Sequence, residues 1–291
     1  MSKLGEAILK AIVSNRKRSQ RGDPSGNGAQ LDGSEEYFRW QFESSEALFA
    51  KYPNWDIQGK TVLEIGCGLG GRSAYLAASG ARCVVGIDIN AGEIHEAPDL
   101  CARVCPKALD RIQYLSCKEN ERLPIGQFDV VILVDAMEHV VSPYQVVQAA
   151  YDYVVPGGKF YFSSYGWYHH SGSHTGLLPF VNVLFSDETI LNVIRWNVSR
   201  PDYVPTMWDS DPPIKRWQGI YDLRDRPGEH LNKITLREMK KLARYAAFPH
   251  SRLNILGFGG NHKLLRVLNP LRHIPVLQEV FHSYVVGEFR K

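Results

Sequence analysis

The chain has 291 residues, and its 34 Lys and Arg against 31 Asp and Glu leave a formal charge of only +3 at pH 7. Residues 1–22 hold six basic side chains against Glu6 alone, so the remaining 269 residues carry a net charge of −2. A slightly acidic body argues against a nucleic-acid-binding protein, because such a protein presents a broad basic face to the phosphates.

Apolar runs are short throughout the chain. The longest, Val130–Val134, is far below the ~20 residues of a membrane-spanning helix, so no membrane span is expected. Glu6 and Lys10 interrupt the first apolar stretch, which argues against a signal peptide. Five cysteines without paired CxxC motifs predict neither a disulfide framework nor a structural metal site. We therefore expect no metal and a cytoplasmic location.

Two N-terminal segments precede the main pattern. Residues 1–33 are predicted to be a flexible basic arm, because residues 14–33 concentrate charge, Gly, Asn and Pro without an apolar period. Aromatic residues then recur at helical spacing, which predicts a helix over residues 34–51 capped by Ser34. We expect this helix to cover a ligand site.

Strongly apolar runs alternate with helical patterns from Lys60 onward. Such runs are typical of a parallel sheet that is buried on both faces. The first five predicted strands are Thr61–Ile65, Arg82–Ile87, Ile112–Ser116, Phe128–Val134 and Lys159–Ser164. Two further strands are predicted at Leu253–Phe258 and Tyr284–Phe289.

Residues 165–234 interrupt this alternation with an aromatic stretch rich in His and Pro. Seventy residues are too many for a simple connection, so we predict an inserted lid with one helix near residues 187–196. The regular pattern resumes where Thr235 and Glu238 form a capping box at the start of a helix.

The most informative motif is EIGCGLGG, from Glu64 to Gly71, between a predicted strand and a predicted helix. Its glycines let the backbone approach a ligand closely. The spacing also satisfies the dinucleotide pattern GxGxxG, with Asp88 placed to bind a ribose. However, Glu64 suits the ammonium group of a bound amino acid and would repel a pyrophosphate. The motif therefore favours an amino-acid-bearing nucleoside over NAD.

Five motifs occur in a fixed order: VLEIGCGLGG, VVGIDIN, KENERLP, FDVVILVDAMEHV and PGGKF. Over about residues 34–164 the chain resembles the class I S-adenosylmethionine-dependent methyltransferases, of the small-molecule, type 11-like kind. The resemblance implies an α/β fold with a doubly wound, mostly parallel seven-stranded sheet whose last strand is antiparallel. It also implies a methyltransferase domain over residues 34–291 that includes the cover helix and the lid.

The resemblance further implies S-adenosyl-L-methionine as the cofactor. Glu64 would hold its methionine part, Asp88 its ribose and Glu119 its adenine amino group. The full implied set of cofactor-binding residues is Glu64, Gly66, Cys67, Gly68, Asp88, Ile89, Glu119, Asn120 and Asp135.

Few catalytic groups are needed, because a sulfonium methyl is already electrophilic and the protein mainly aligns the acceptor. An oxygen acceptor usually needs a general base, and His is suited to that role. The predicted bases are His139, His170 and His174. The motif YHHSGSH fills a core poorly, so we expect it on an active-site lid. The predicted substrate residues are Tyr165, Trp167, His169, Glu229 and His230.

The preferred hypothesis is O-methylation of a small molecule, in natural-product or glycan tailoring, as the resemblance implies. Carbon or nitrogen methylation is the alternative, and for a carbon acceptor the base would be Glu229 or Glu138. A non-catalytic cofactor-binding scaffold and an NAD-dependent oxidoreductase are further alternatives. The expected partner is a small-molecule acceptor, with no nucleic acid and with a homodimer possible.

Overall fold

The computed structural model of the chain describes residues 2–15, 33–172, 177–201, 231–259 and 263–291. Within these ranges, no helix is both long and apolar enough to cross a membrane.

A single sheet organises the molecule. Its strands are β1 (Thr61–Ile65), β2 (Cys83–Asp88), β3 (Ile112–Ser116), β4 (Phe128–Leu133), β5 (Val154–Ser164), β6 (His250–Leu256) and β7 (Tyr284–Arg290). Their order is β3-β2-β1-β4-β5-β7-β6, and only β7 runs antiparallel to its neighbours. The predicted sheet with an antiparallel last strand is confirmed. The strand order reverses between β1 and β4, which is where open α/β sheets bind ligands.

Two strands begin earlier than the apolar runs predict. β5 starts at Val154 rather than Lys159 and continues through the glycines after Pro156. Gly157 has a φ of +80°, and its N–H donates to the Lys291 carbonyl at 2.9 Å, so pairing with the chain end holds this part in the sheet. β6 likewise begins at His250 because the whole of β7 pairs with it.

Eight α-helices surround the sheet in the described ranges. They are α1 (Ser2–Asn15), α2 (Ser34–Phe49), α3 (Gly71–Ala78), α4 (Ala91–Val104), α5 (Pro143–Tyr153), α6 (Val181–Leu184), α7 (Asp187–Val198) and α8 (Leu236–Tyr245). Short 3-10 helices cover Pro106–Arg111, Lys263–His273 and Leu277–Glu279.

Helix starts agree with the predictions in one case and differ in another. Thr235 and Glu238 form the predicted reciprocal capping box of α8. α2 does begin at Ser34, but Gly33 occupies the cap position with a φ of +126°, and no side chain caps the helix. Ser34 is therefore the first helical residue and not the cap.

The sheet is buried on both faces, as its apolar strands predict. One core packs α5 and α8 on β4, β5 and β7, around Phe160, Phe162 and Phe289. The other packs α2, α3 and α4 on β1 and β2, with Phe49 stacked on Trp55 at 4.3 Å between ring centroids. Because the helices pack on the two faces of the sheet, the carboxyl ends of the strands remain as the edge where ligands can bind.

The prediction of a flexible arm over residues 1–33 is wrong for residues 2–15, which form α1. Leu9 is fully buried among apolar side chains of α6 and α7, and the Asn192 amide donates to the Glu6 carboxylate at 2.7 Å. The basic composition concealed this contact because the partner helix lies far away in the sequence. Residues 16–32 lie outside the described ranges.

Candidate active site

The glycine loop connects β1 to α3. Gly66, Gly68 and Gly70 have φ values of +75°, +55° and +83°, which strongly favour glycine. A Cβ on Gly70 would also lie only 2.2 Å from the Tyr114 ring. The loop is tied to β2, because the Gly66 N–H donates to the Ile87 carbonyl at 2.8 Å. The glycines thus hold a fixed loop that exposes backbone at the switch point of the sheet.

Glu64 lies near the end of β1 and is 1% exposed. Its carboxyl accepts a hydrogen bond from the Ser73 hydroxyl at 2.5 Å. Burial raises the pKa of Glu64 to about 7, against the opposing effects of the Ser73 hydrogen bond and the Arg72 charge. The ionised form of a buried carboxyl is stabilised by a neighbouring cation, and an ammonium group would fit this chemistry.

Asp88 ends β2 and is half-buried. One carboxylate oxygen accepts the Gly68 N–H at 2.8 Å, and the other accepts the Asn90 N–H at 2.8 Å. Each oxygen keeps further acceptor capacity, which suits a pair of sugar hydroxyls. Ile89 beside it is 64% exposed and offers an apolar surface. Cys67, in contrast, is buried, and burial raises the pKa of its thiol well above the usual range.

Asp135 follows β4 with a φ of +51°, a conformation that is uncommon for a residue with a side chain. Its carboxylate accepts the Ser163 hydroxyl at 3.1 Å and contacts the Tyr284 hydroxyl. Arg72 completes the set with an ion pair at 3.4 Å. Strained backbone persists only where its surroundings hold it in place, and it concentrates at functional sites.

Arg72 is a site residue that the sequence prediction missed. It is 6% exposed, with its guanidinium carbon 5.8 Å from the centre of the Trp40 ring of α2. Its Nε is buried and has no hydrogen-bond acceptor among the described residues. The ion pair with Asp135 therefore uses only part of its donor capacity. The sequence did contain one signal for this role, since Arg72 is a basic residue directly after the last glycine of the loop.

The predicted adenine-binding residues lie in the turn after β3. Asn120 has a φ of +59°, and Glu119 is exposed. The Glu119 carboxylate accepts the Val141 N–H at 3.3 Å, which brings this turn next to the loop after β4. Their contact with adenine stays a prediction.

Two of the histidines after β5 are buried, although the composition of their motif predicted that they would fill a core poorly. His169 is fully buried and His170 is 7% exposed. Nε2 of His169 lies 2.6 Å from Nδ1 of His170, so the two rings share a hydrogen bond. Tyr165 and Phe258 pack on them, with ring centroids 5.1 Å from His169 and 5.5 Å from His170. A polar motif is buried here because its members bond to one another.

His282, just before β7, joins this cluster and was not predicted. Its ring lies 5.5 Å from that of His169, and it is fully buried. Nδ1 lies 2.9 Å from the Gln278 carbonyl and donates to it, while Nε2 has no hydrogen-bond partner among the described residues. Burial lowers the pKa of His282 to about 4, so the ring is neutral near pH 7. No sequence motif links it to His169, because they are far apart in the chain.

Glu138 lies in the loop after β4 and is 4% exposed. It accepts the Ser164 hydroxyl at 2.8 Å. Burial, with the Asp135 charge, raises the pKa of Glu138 to about 8. The group is therefore mainly protonated at neutral pH.

The remaining predicted residues are dispersed. His139 is exposed, with its N–H donating to the Ala136 carbonyl at 3.0 Å. Trp167 packs in the small core of the insertion, and the Lys233 ammonium lies 5.1 Å from its ring. His174, Glu229 and His230 lie outside the described residues.

The strand order, the antiparallel seventh strand and the acid-flanked glycine loop define a class I methyltransferase fold. A family model described as a methyltransferase domain matches residues 37–249, and the chain belongs to that family. The predicted resemblance is thereby confirmed.

Curated relatives match a shorter region. The ubiquinone biosynthesis O-methyltransferase of Pseudomonas paraeruginosa is 39% identical over 112 residues, which cover 37% of this chain and 45% of that protein. The protein of the same name from Acinetobacter baumannii is 36% identical over 112 residues, with the same coverage. The match thus spans less than half the length of these relatives.

Solved structures agree in fold over most of the chain. Phosphoethanolamine N-methyltransferase 2 of Haemonchus contortus, in complex with phosphomonomethylethanolamine and S-adenosylhomocysteine, has a TM-score of 0.53 at 16% identity, covering 97% of this chain and 60% of its own. Geranyl diphosphate methyltransferase in complex with its cofactor has a TM-score of 0.51 at 13% identity, covering 90% and 92%.

Proposed function

We propose that the chain transfers a methyl group from S-adenosyl-L-methionine to a small-molecule acceptor, and specifically to an oxygen atom. The observation that carries this proposal is the pair of acids, Glu64 and Asp88, on either side of a left-handed glycine loop at the switch point of the sheet. The names of the curated relatives support an oxygen acceptor.

The donor set suits the methionine end of this cofactor. Glu64 is a buried carboxyl beside Ser73, and it would accept the ammonium group. We assign the methionine carboxylate to Arg72, because its Nε is buried without an acceptor and a carboxylate binds guanidinium in a two-point contact. Asp135 would keep Arg72 oriented through their ion pair. Asp88 would bind the ribose hydroxyls, and Ile89 would pack on the face of the neighbouring adenine ring.

The acceptor would lie on the insertion side of the same edge. When bound, the cofactor supplies an electrophilic methyl group, so the protein needs to align the acceptor oxygen and remove its proton. The predicted base is His170, in contact with His169. His282 extends the same cluster, and its unpartnered Nε2 is held as an acceptor by the bond from Nδ1.

Binding and turnover test the proposal separately. Calorimetric titration of the full chain with S-adenosylhomocysteine should give tight binding, and titration with NAD should give none. Tight binding of NAD instead would identify an oxidoreductase. Incubation with labelled S-adenosylmethionine and a panel of phenols, sugars and amines should then yield an O-methylated product. Cofactor binding with no transfer to any acceptor class would favour a non-catalytic scaffold.

Carbon methylation is a second candidate because Glu138 holds a proton near neutral pH. Its carboxyl, with a pKa of about 8, lies in the loop after β4 and next to Ser164 at the end of β5. An acid of this kind can exchange a proton with a carbon acceptor near pH 7. Product analysis with a ¹³C-labelled methyl donor decides the matter, since the chemical shift of the transferred methyl group differs between attachment to oxygen and attachment to carbon.

A further inference from the structure

The connection between β6 and β7 directs large apolar side chains outward. Leu264 is 90% exposed, Val267 77%, Ile274 47% and Val276 79%. No residue from 264 to 281 is buried, although apolar residues are frequent throughout this stretch. Exposed apolar side chains are ordinary when they are scattered singly, but a contiguous group marks an interaction surface.

Polar bonds anchor this connection to the body of the protein. The Asn269 amide accepts the Phe258 N–H at 2.6 Å and donates to the Phe258 carbonyl at 2.9 Å. The Glu279 carboxylate accepts the N–H groups of Leu236 and Arg237 at 2.9 and 2.7 Å, at the start of α8. Both ends are therefore fixed by side-chain to backbone bonds, and the outward direction of the apolar side chains is a property of the fold.

Exposed cationic side chains in the first part of α8 lie next to the end of this connection. The Lys240 ammonium donates to the Gln278 side chain at 2.6 Å, which joins the two elements. The nearby acids, Glu238 and Glu279, both accept backbone N–H groups at the start of α8. We call the combined surface the basic apolar face. Its members are Arg237, Lys240, Lys241, Leu264, Arg266, Val267, Arg272, Ile274 and Val276.

The basic apolar face lies at the carboxyl edge of the sheet. β5 and β6 both run antiparallel to β7, so the β6 to β7 connection leaves the sheet where β5 ends. The Phe281 ring lies 5.9 Å from that of Phe180 in the insertion. A depression of about 530 Å³ lies between Tyr168 of the insertion and the start of α8, and it is lined by Arg237 and Lys241 together with Glu238 and Glu279. The face thus borders the side of the molecule that carries the acceptor site.

We propose that the basic apolar face docks on a lipid surface with anionic headgroups. Such a surface accepts apolar side chains at the acyl boundary and attracts cations at the headgroups, which matches both components of the face. The face carries five cationic side chains against the two acids Glu238 and Glu279, so a two-fold contact between copies would oppose a net positive charge with the same charge. The charge therefore favours lipid over self-association.

Sedimentation with vesicles tests this proposal on the full chain. The chain should sediment with vesicles made from equal parts of phosphatidylcholine and phosphatidylglycerol, and much less with phosphatidylcholine alone. Lys240→Gln with Lys241→Gln should weaken binding on the order of twenty-fold, because each cation near an anionic surface contributes about five-fold. Leu264→Gln with Val267→Gln should weaken it at least about ten-fold through lost apolar burial.

Matched variants elsewhere on the surface control for charge and hydropathy. Arg82→Gln with Lys107→Gln, and Leu4→Gln with Ile8→Gln on α1, should leave vesicle binding unchanged, since these residues lie outside the face. Thermal unfolding and S-adenosylhomocysteine affinity should be the same in all four variants. Equal loss in the control variants, or no difference between the two vesicle types, would overturn the proposal. So would a dimer in solution that the Leu264 and Val267 variant abolishes while vesicle binding is absent.

Discussion

The two halves of the carboxyl edge are built in different ways. On the half proposed to hold the cofactor, Glu64, the glycine loop and Asp88 lie within one segment that runs from β1 through α3 to β2, and backbone N–H groups orient the Asp88 carboxylate. On the half proposed to hold the acceptor, His169, Phe258 and His282 come from three separate parts of the chain and meet only in the folded protein. A site made of local segments can be predicted from sequence, whereas a composite site cannot.

The largest expected effect concerns the acceptor half. His170→Ala should slow methyl transfer by about 10²- to 10⁴-fold, the usual contribution of a general base, and should leave the dissociation constant of S-adenosylhomocysteine unchanged. Turnover with the accepted substrate and calorimetry on the same preparation measure the two quantities. His139→Ala is the matched control on an exposed ring. If His139→Ala is the slow variant and His170→Ala is not, the base lies in the loop after β4.

A second prediction concerns the cofactor half. Asp88→Ala should weaken binding of S-adenosylhomocysteine on the order of a hundredfold, because a hydrogen bond to a charged group contributes about 1.5–3 kcal/mol and two ribose hydroxyls are available. Methylthioadenosine, which keeps the ribose, should lose affinity to a similar extent. Asp152→Ala, at an exposed acid on α5, should change neither value. Unchanged binding in Asp88→Ala would remove this residue from the site.

The third prediction separates the two ends of the cofactor. Arg72→Met should weaken S-adenosylhomocysteine about ten- to a hundredfold, through loss of a charge-assisted contact, and should spare methylthioadenosine, which has no carboxylate. Arg39→Met, at an exposed position on α2, is the control. Equal loss for both ligands would mean that Arg72 only supports Asp135 and the loop.

The sequence alone could predict some of the features behind these predictions but not others. The positions of the strands followed from apolar runs, the antiparallel last strand from the resemblance to a family, and the acids at the ends of β1 and β2 from a motif set with fixed spacing. Arg72 and His282 did not. Arg72 had one local signal, its position after the last glycine of the loop, but its burial and its ion pair with Asp135 depend on distant segments, and His282 has no distinctive local pattern. The packing of α1 was also hidden, since Leu9 becomes buried only through contact with α7. What the sequence left open depends on contacts between distant segments.

The smallest expected effect is on stability. Folding raises the pKa of Glu64 to about 7 and that of Glu138 to about 8, so the folded state holds these protons to higher pH than the unfolded state does. Stability of the ligand-free chain should therefore fall as pH rises through this range. His282 has the opposite effect on stability. Folding lowers its pKa from the usual 6.5 to about 4, so it makes stability increase with pH between these two values. The fall should be clearest above that window.

Urea denaturation at a series of pH values measures this dependence. Between about pH 6.5 and 8 the free energy of unfolding should decrease by about 2 kcal/mol, at 1.36 kcal/mol for each pKa unit of one group. Glu138→Gln should flatten the upper part of the curve. A stability that rises over this interval would contradict the protonated state of both carboxyls.

The central claim is that Glu64 is a buried acid that binds the ammonium group of the ligand. Proton release on ligand binding tests this claim. Calorimetry of S-adenosylhomocysteine binding at pH 7, in buffers with different ionisation enthalpies, counts the protons directly. Because the pKa of Glu64 is about 7, binding should release about half a proton. Glu64→Gln, or methylthioadenosine in place of the ligand, should release none. Binding without proton release in the unmodified chain, or the same release in Glu64→Gln, would contradict the account.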